Sequence, residues 1–141
     1  MPGPPPLRVT FIDRQKSRRI PSARLARVLR GAARALRVRG EVSVVFVGDA
    51  RMRSLNRRYR KQDRITDVLS FAGPGAGEGI GDIVISVATA ARNASRFRRS
   101  VDEELEILVL HGFLHTLGYD HETDVGEMDR LESRLRRSLL S

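Results

Sequence analysis

The run from Val101 to Leu117 constrains this chain more than any other segment. Ser100-x-x-Glu103 in front of it is a capping box, which predicts a helix opening at that point. Along that helix Leu105, Ile107, Leu108, Val109, Leu110, Phe113, Leu114 and Leu117 leave hardly any polar face. A helix apolar nearly all round has to be covered on every side, so it is expected at the centre of the fold. It also carries His111 and His115, four residues apart and therefore on one face. Gly118 follows where the helix should end, and a left-handed glycine there would swing His121 back toward the pair.

These are the only three histidines among 141 residues, and they lie at ligand spacing around a glycine. Three neutral imidazoles converging on one point can hold one zinc-like divalent ion and leave a position open for water or substrate. The chain has no cysteine, so a metal must rest on nitrogen and oxygen donors. The spacing His-x-x-x-His-x-x-Gly-x-x-His is that of one large class of zinc peptidases, a zincin-like metal helix. Those enzymes place a glutamate, their general base, directly after the first histidine, whereas this chain has Gly112. Losing such a base costs roughly 10²–10⁴-fold in rate, which argues against peptide hydrolysis. Asp120 and Glu104 are the candidate bases. Asp120 equally suits orienting a ligand, and Glu104 suits supporting the helix N-terminus electrostatically. Asp120 or Glu127 as a fourth ligand would close the site and make the ion structural.

Around the central helix the remaining segments read as short strands and helices. Leu7–Ile12, Glu41–Val47, Val68–Phe71 and Gly81–Ser86 are expected strands. Helices are expected from Pro21 or Ser22 to about Arg39, from Asp49 as cap to about Arg58, and from Val87 to Arg96. A last helix, capped by Asp124-x-x-Glu127, runs to about Leu139. Gly73–Gly79 is an expected flexible loop without the strand-to-helix context of a phosphate cradle. No repeat or boundary divides the chain. The expectation is one α+β (α/β-like) domain over residues 1–141, with a small mixed sheet of about four strands, four to five helices and a flexible segment 1–6. The strand order is not legible.

Charge is distributed unevenly. Residues 1–62 carry 17 Lys and Arg against three acids, a net of +14; residues 63–141 carry nine against 14, a net of −5. A basic half beside an acidic, metal-bearing half suits a polyanion drawn to one side of the molecule, and so predicts nucleic-acid contact. In the first helix Arg24, Arg27, Arg30, Arg34 and Arg37 are expected on a solvated face opposite Leu25, Leu29, Ala32 and Leu36. No stretch approaches the roughly 18 apolar residues of a membrane span. Met1–Pro6 lacks the apolar core of a signal peptide, and with no cysteine the expected location is the cytoplasm.

His111-Gly-Phe-Leu-His115-x-x-Gly118-Tyr119-Asp120-His121 resembles the signature of the YbeY family of bacterial endoribonucleases, also called ribosomal RNA maturation factors. Leu55-Asn56-x-x-Tyr59-Arg60-x-x-Asp63-x-x-Thr66-Asp67-Val68-Leu69-Ser70-Phe71 and Gly81-Asp82-Ile83-x-Ile85-Ser86 resemble it too. The resemblance covers about residues 55–129 and implies a metal-dependent endoribonuclease specific for single-stranded RNA. It further implies maturation of the 3′ end of small-subunit ribosomal RNA, ribosome quality control, and partners in the ribosome or its small subunit. It implies a zinc-like ion on His111, His115 and His121, and an RNA contact or activating role for Arg60. Tyr59, Asp63, Asp67 and Ser70 are expected to be turn, cap and site-wall residues. Two other readings stand beside it: a different metal hydrolase such as a peptidase, opposed by Gly112, and a ribosome-associated assembly factor with a mainly structural metal.

Overall fold

A computed structural model describes residues 7–75, 78–119 and 126–140. The elements are β1 (Arg8–Asp13), α1 (Ser22–Leu36), β2 (Glu41–Val47), α2 (Asp49–Arg60), β3 (Val68–Ala72), β4 (Gly79–Ser86), α3 (Val87–Arg96), α4 (Val101–Thr116) and α5 (Glu127–Leu139). They form the α+β arrangement expected, a mixed sheet with helices on both faces. The sheet order is β1-β2-β4-β3, with β1, β2 and β4 parallel and the edge strand β3 antiparallel to β4. The glycine-rich segment closes the β3–β4 hairpin, with Gly73 N–H donating to Ile80 O (2.9 Å) and Gly75 N–H to Gly79 O (2.9 Å).

Alternation along the strands divides the core. Val42, Val44 and Phe46 of β2 join Ile83 and Ile85 of β4 in the larger cluster, against α1, α3, α4 and α5. Val47, Val84 and Leu69 face the other way, with Met52 of α2 against them. Helix α4 is covered as its composition requires: Leu105, Val109, Leu110, Phe113 and Leu114 are fully removed from water. Burying each such large side chain contributes about 1.5–3 kcal/mol. Ser100 caps α4, its Oγ accepting from Glu103 N–H at 3.1 Å.

Several expectations are corrected. Helix α1 stops at Leu36 rather than near Arg39, with Arg37 left-handed (φ 55°). The chain leaves the helix early because Gly40 O already accepts from Arg8 N–H (2.9 Å), opening the β1–β2 pairing. Arg24 is not on a solvated face. It crosses to α4, where Nε and Nη2 meet the fully buried Glu106 Oε1 at 2.8 and 2.6 Å. Asp49 does not cap α2, whose N-cap is Gly48; its carboxylate faces α3 instead. The expected cap Asp124 lies outside the described residues, and α5 starts at Glu127 after Gly126. The basic half is not on one side: α1 and α2 cover opposite faces of the sheet.

Candidate metal centre and active-site cleft

The C-terminal half of α4 lies across β4 and the edge strand β3, and the approach is possible because of Gly112. A Cβ at that position would stand 2.6 Å from Ile83 Cγ2 and 3.2 Å from Ser70 Oγ. Ser70 Oγ donates to Gly112 O at 3.1 Å and joins strand to helix. The position where a peptidase carries its glutamate therefore faces the sheet and has no room for a side chain.

One turn of helix brings His111 and His115 together, both half-buried, with their Nε2 atoms 3.0 Å apart. His111 Nδ1 lies 2.6 Å from Glu132 Oε1 on α5. An ionised carboxylate can only accept, so beside an ionised Glu132 a neutral His111 would carry its proton on Nδ1 and turn its Nε2 lone pair toward His115. Two ring nitrogens that close repel unless a proton or a cation lies between them. This donor pair fits a divalent ion of the zinc type, and Glu132 is the outer carboxylate such ligands ordinarily have. Among the described residues no group of three metal-ligating side chains converges. The third expected ligand, His121, and Asp120 beside it lie outside the described residues. Gly118 does have the expected positive φ, +99°, and Tyr119 N–H donates back to Leu114 O at 3.1 Å.

A cleft of about 400 Å³ opens beside the pair, lined by Arg60, Val68, Leu69, Ser70, Ala72, His111 and His115. Arg60 reaches it from the last turn of α2. Its Nη2 donates to Ser70 O at 2.5 Å, so α2, on one face of the sheet, delivers a cation to the β3 edge beside helix α4 of the other face. The connector between α2 and β3 is fixed by a two-point ion pair of Arg53 with Asp63 (2.8 and 3.1 Å) and by Asn56 Nδ2 donating to Arg64 O (3.0 Å). Asp67 accepts from Asn93 Nδ2 at 3.2 Å, and Ser70 forms the cleft wall. The structural roles expected for Asp63, Asp67 and Ser70 therefore have contacts that account for them.

Glu104 does not reach the cleft; it is buried on α4 and takes Arg99 Nη1 at 2.7 Å. Glu127 is exposed at the start of α5 and does not line the cleft. Glu132 escaped sequence reasoning. A signal was present: it follows Met128 by four residues and precedes Leu135 by three, on the face of α5 that carries its buried side chains. An acid in an apolar stripe calls for a partner, but the sequence alone does not say which.

A family model described as endoribonuclease YbeY matches residues 9–140. An endoribonuclease YbeY from Koribacter versatilis is 50% identical over 115 residues, covering 82% of this chain and 75% of that one. Another from Moorella thermoacetica is 48% identical over 124 residues, covering 78% and 79%. The solution structure of a structural-genomics target protein from Thermotoga maritima superposes with a TM-score of 0.62 at 26% identity, covering 93% of this chain and 88% of that one.

Proposed function

The chain belongs to the endoribonuclease YbeY family, and from that premise we propose how its cleft acts on RNA. The protein is an endoribonuclease that hydrolyses RNA phosphodiester bonds; neither the peptidase nor the assembly-factor reading is favoured. Its substrate is single-stranded ribosomal RNA precursor, at the 3′ end of the small-subunit RNA, and it serves ribosome quality control. Its partner is the small ribosomal subunit and its location the cytoplasm. The basic residues of α2 beside the cleft support an RNA substrate, and no described helix is long and apolar enough to cross a membrane.

The observation that carries the site assignment is the pair of Nε2 atoms 3.0 Å apart with Glu132 behind His111. In this reading His111, His115 and His121 hold one zinc ion or another divalent metal. Such an ion, when bound, polarises a phosphoryl oxygen and lowers the pKa of water toward about 7. Glu132 keeps the His111 ring in one tautomer and one orientation. Arg60 binds the scissile phosphate: a guanidinium has five N–H donors, so the one given to Ser70 O leaves others for phosphate oxygens. Its positive charge offsets the negative charge that grows on those oxygens as water attacks. Asp120 takes the proton from the attacking water or orients His121.

The test is cleavage of single-stranded RNA and of ribosomal precursor by wild type, His115→Ala, Arg60→Ala and Glu132→Ala, with chelation and metal add-back. His115→Ala should lose both metal and cleavage, and Arg60→Ala should keep the metal and lose cleavage. Glu132→Ala should bind metal about 10–100-fold more weakly, read by chelator competition. Wild-type cutting by both His115→Ala and Arg60→Ala would remove the assignment and point to a contaminating nuclease.

A further inference from the structure

Beside the cleft lies an aromatic surface that the chemistry above does not use. Tyr59 is 54% exposed although it is large and apolar, and it neighbours Arg60 on the last turn of α2. Its ring meets Phe71 of β3 edge-on, with centroids 5.5 Å apart and planes at 75°. The Arg58 guanidinium lies over Tyr59 at 5.3 Å, and that of Arg60 over Phe71 at 5.3 Å. The two rings and two cations form one continuous patch, and Arg60 belongs both to it and to the cleft. Phe71 is partly buried against the core of that face and anchors the Tyr59 ring through their T-shaped contact.

We propose that Tyr59 is a stacking platform for an unpaired nucleobase of the substrate, adjoining the nucleotide whose phosphate Arg60 holds. An exposed ring with a guanidinium over one face and a second cation next to it suits a single strand. The base stacks on the face opposite Arg58 or displaces it, and the cations meet the backbone. The charge is complementary, since α2 carries five arginines against a single acid, Asp49. Arg53 and Arg57 meet Asp63, but Arg58 and Arg60 lie at the two rings. A protein partner would have to bury those cations. A paired base keeps its faces within the duplex and cannot lie on Tyr59, so the platform supplies a physical reason for preferring single strands. The inference rests on the endoribonuclease reading and deepens it.

The test uses the zinc-loaded enzyme and a short labelled oligoribonucleotide, single-stranded or annealed to its complement. Tyr59→Ala should raise KM for the single strand roughly tenfold with kcat nearly unchanged. Tyr59→Phe should restore KM, because the ring and not the hydroxyl does the stacking. The chain has no tryptophan, so Tyr59→Trp adds a single indole whose fluorescence single-stranded RNA should quench and duplex should not. The proposal is overturned by an unchanged KM in Tyr59→Ala, by a Tyr59→Phe as impaired as the alanine, or by equal quenching with duplex. Unchanged KM beside lost binding to the ribosome would assign the ring to a protein surface instead. A wild type that cuts single strands while Tyr59→Ala behaves like it removes only the platform; a wild type that does not cut them removes the endoribonuclease reading as well.

Discussion

Gly112 carries two messages at the residue scale. Its identity removes the glutamate that the histidine spacing leads one to look for, and its surroundings explain why no side chain is accommodated. Ile83 is fully buried and β-branched, so its Cγ2, 2.6 Å from a would-be Cβ, has little freedom to move aside. Overpacking of this kind costs about 1–3 kcal/mol, while alanine gains about 1 kcal/mol over glycine in a helix interior. Gly112→Ala should therefore be destabilising by up to about 2 kcal/mol, visible as a Tm lower by up to several degrees. Gly112→Glu should lose several kcal/mol, because it also pushes a carboxylate against an apolar strand, and should show no peptidase activity. A Gly112→Ala stabilised by the full helix-propensity gain of about 1 kcal/mol would mean that α4 and β4 can part without cost.

At the scale of elements the question is what holds α2, since that helix brings Arg60 to the cleft. Its first residue is tied to the β4–α3 junction: Asp49 accepts from Ser86 Oγ (2.6 Å), Thr89 Oγ1 (2.6 Å) and Arg92 Nη2 (2.7 Å). Burial pushes the Asp49 carboxyl up, but the hydrogen bonds from Ser86, Thr89 and Arg92 together outweigh it and hold the group below the usual aspartate range. With the folded value depressed, the stabilisation is present above the unfolded pKa, about 3.9, and is lost as pH falls through the folded value. Asp49→Asn should therefore flatten the decline of Tm below about pH 4 and lower Tm at neutral pH. A wild-type decline that persists in Asp49→Asn would assign the acid sensitivity to other carboxylates.

At the scale of the whole molecule the sheet decides what the basic half is for. Of the four arginines in α1, Arg24 is paired with Glu106, and Arg30 Nε donates to Leu7 O (3.4 Å) beside β1, at the opposite edge of the sheet from β3. Helix α2 lies on the other face, and its Arg60 reaches the cleft. Affinity for single-stranded RNA should fall linearly on a log–log plot against salt, as phosphate contacts release counterions. Arg58→Gln should reduce that slope by about one, whereas Tyr59→Ala should weaken binding without changing it. Equal slopes for wild type and Arg58→Gln in a titration of fluorescence anisotropy would exclude Arg58 from the backbone path.

What the sequence determined by itself was local or periodic. The burial of α4, its Ser100 cap, the extent of β2 and α3, and the facing of His111 and His115 all follow from spacings within a few residues. Helix and strand geometry turns such spacings directly into directions. The fold class and the family were legible for the same reason, since their motifs are short runs. Tertiary structure decided everything that joins distant segments. The antiparallel edge strand, the partner of Arg24, the turn of Asp49 toward α3, and Glu132 behind His111 depend on which elements the sheet order makes neighbours. Sequence spacing carries no information about that order. It also decided the meaning of Gly112, which read as a missing base and proved to be the place where helix and sheet come into contact.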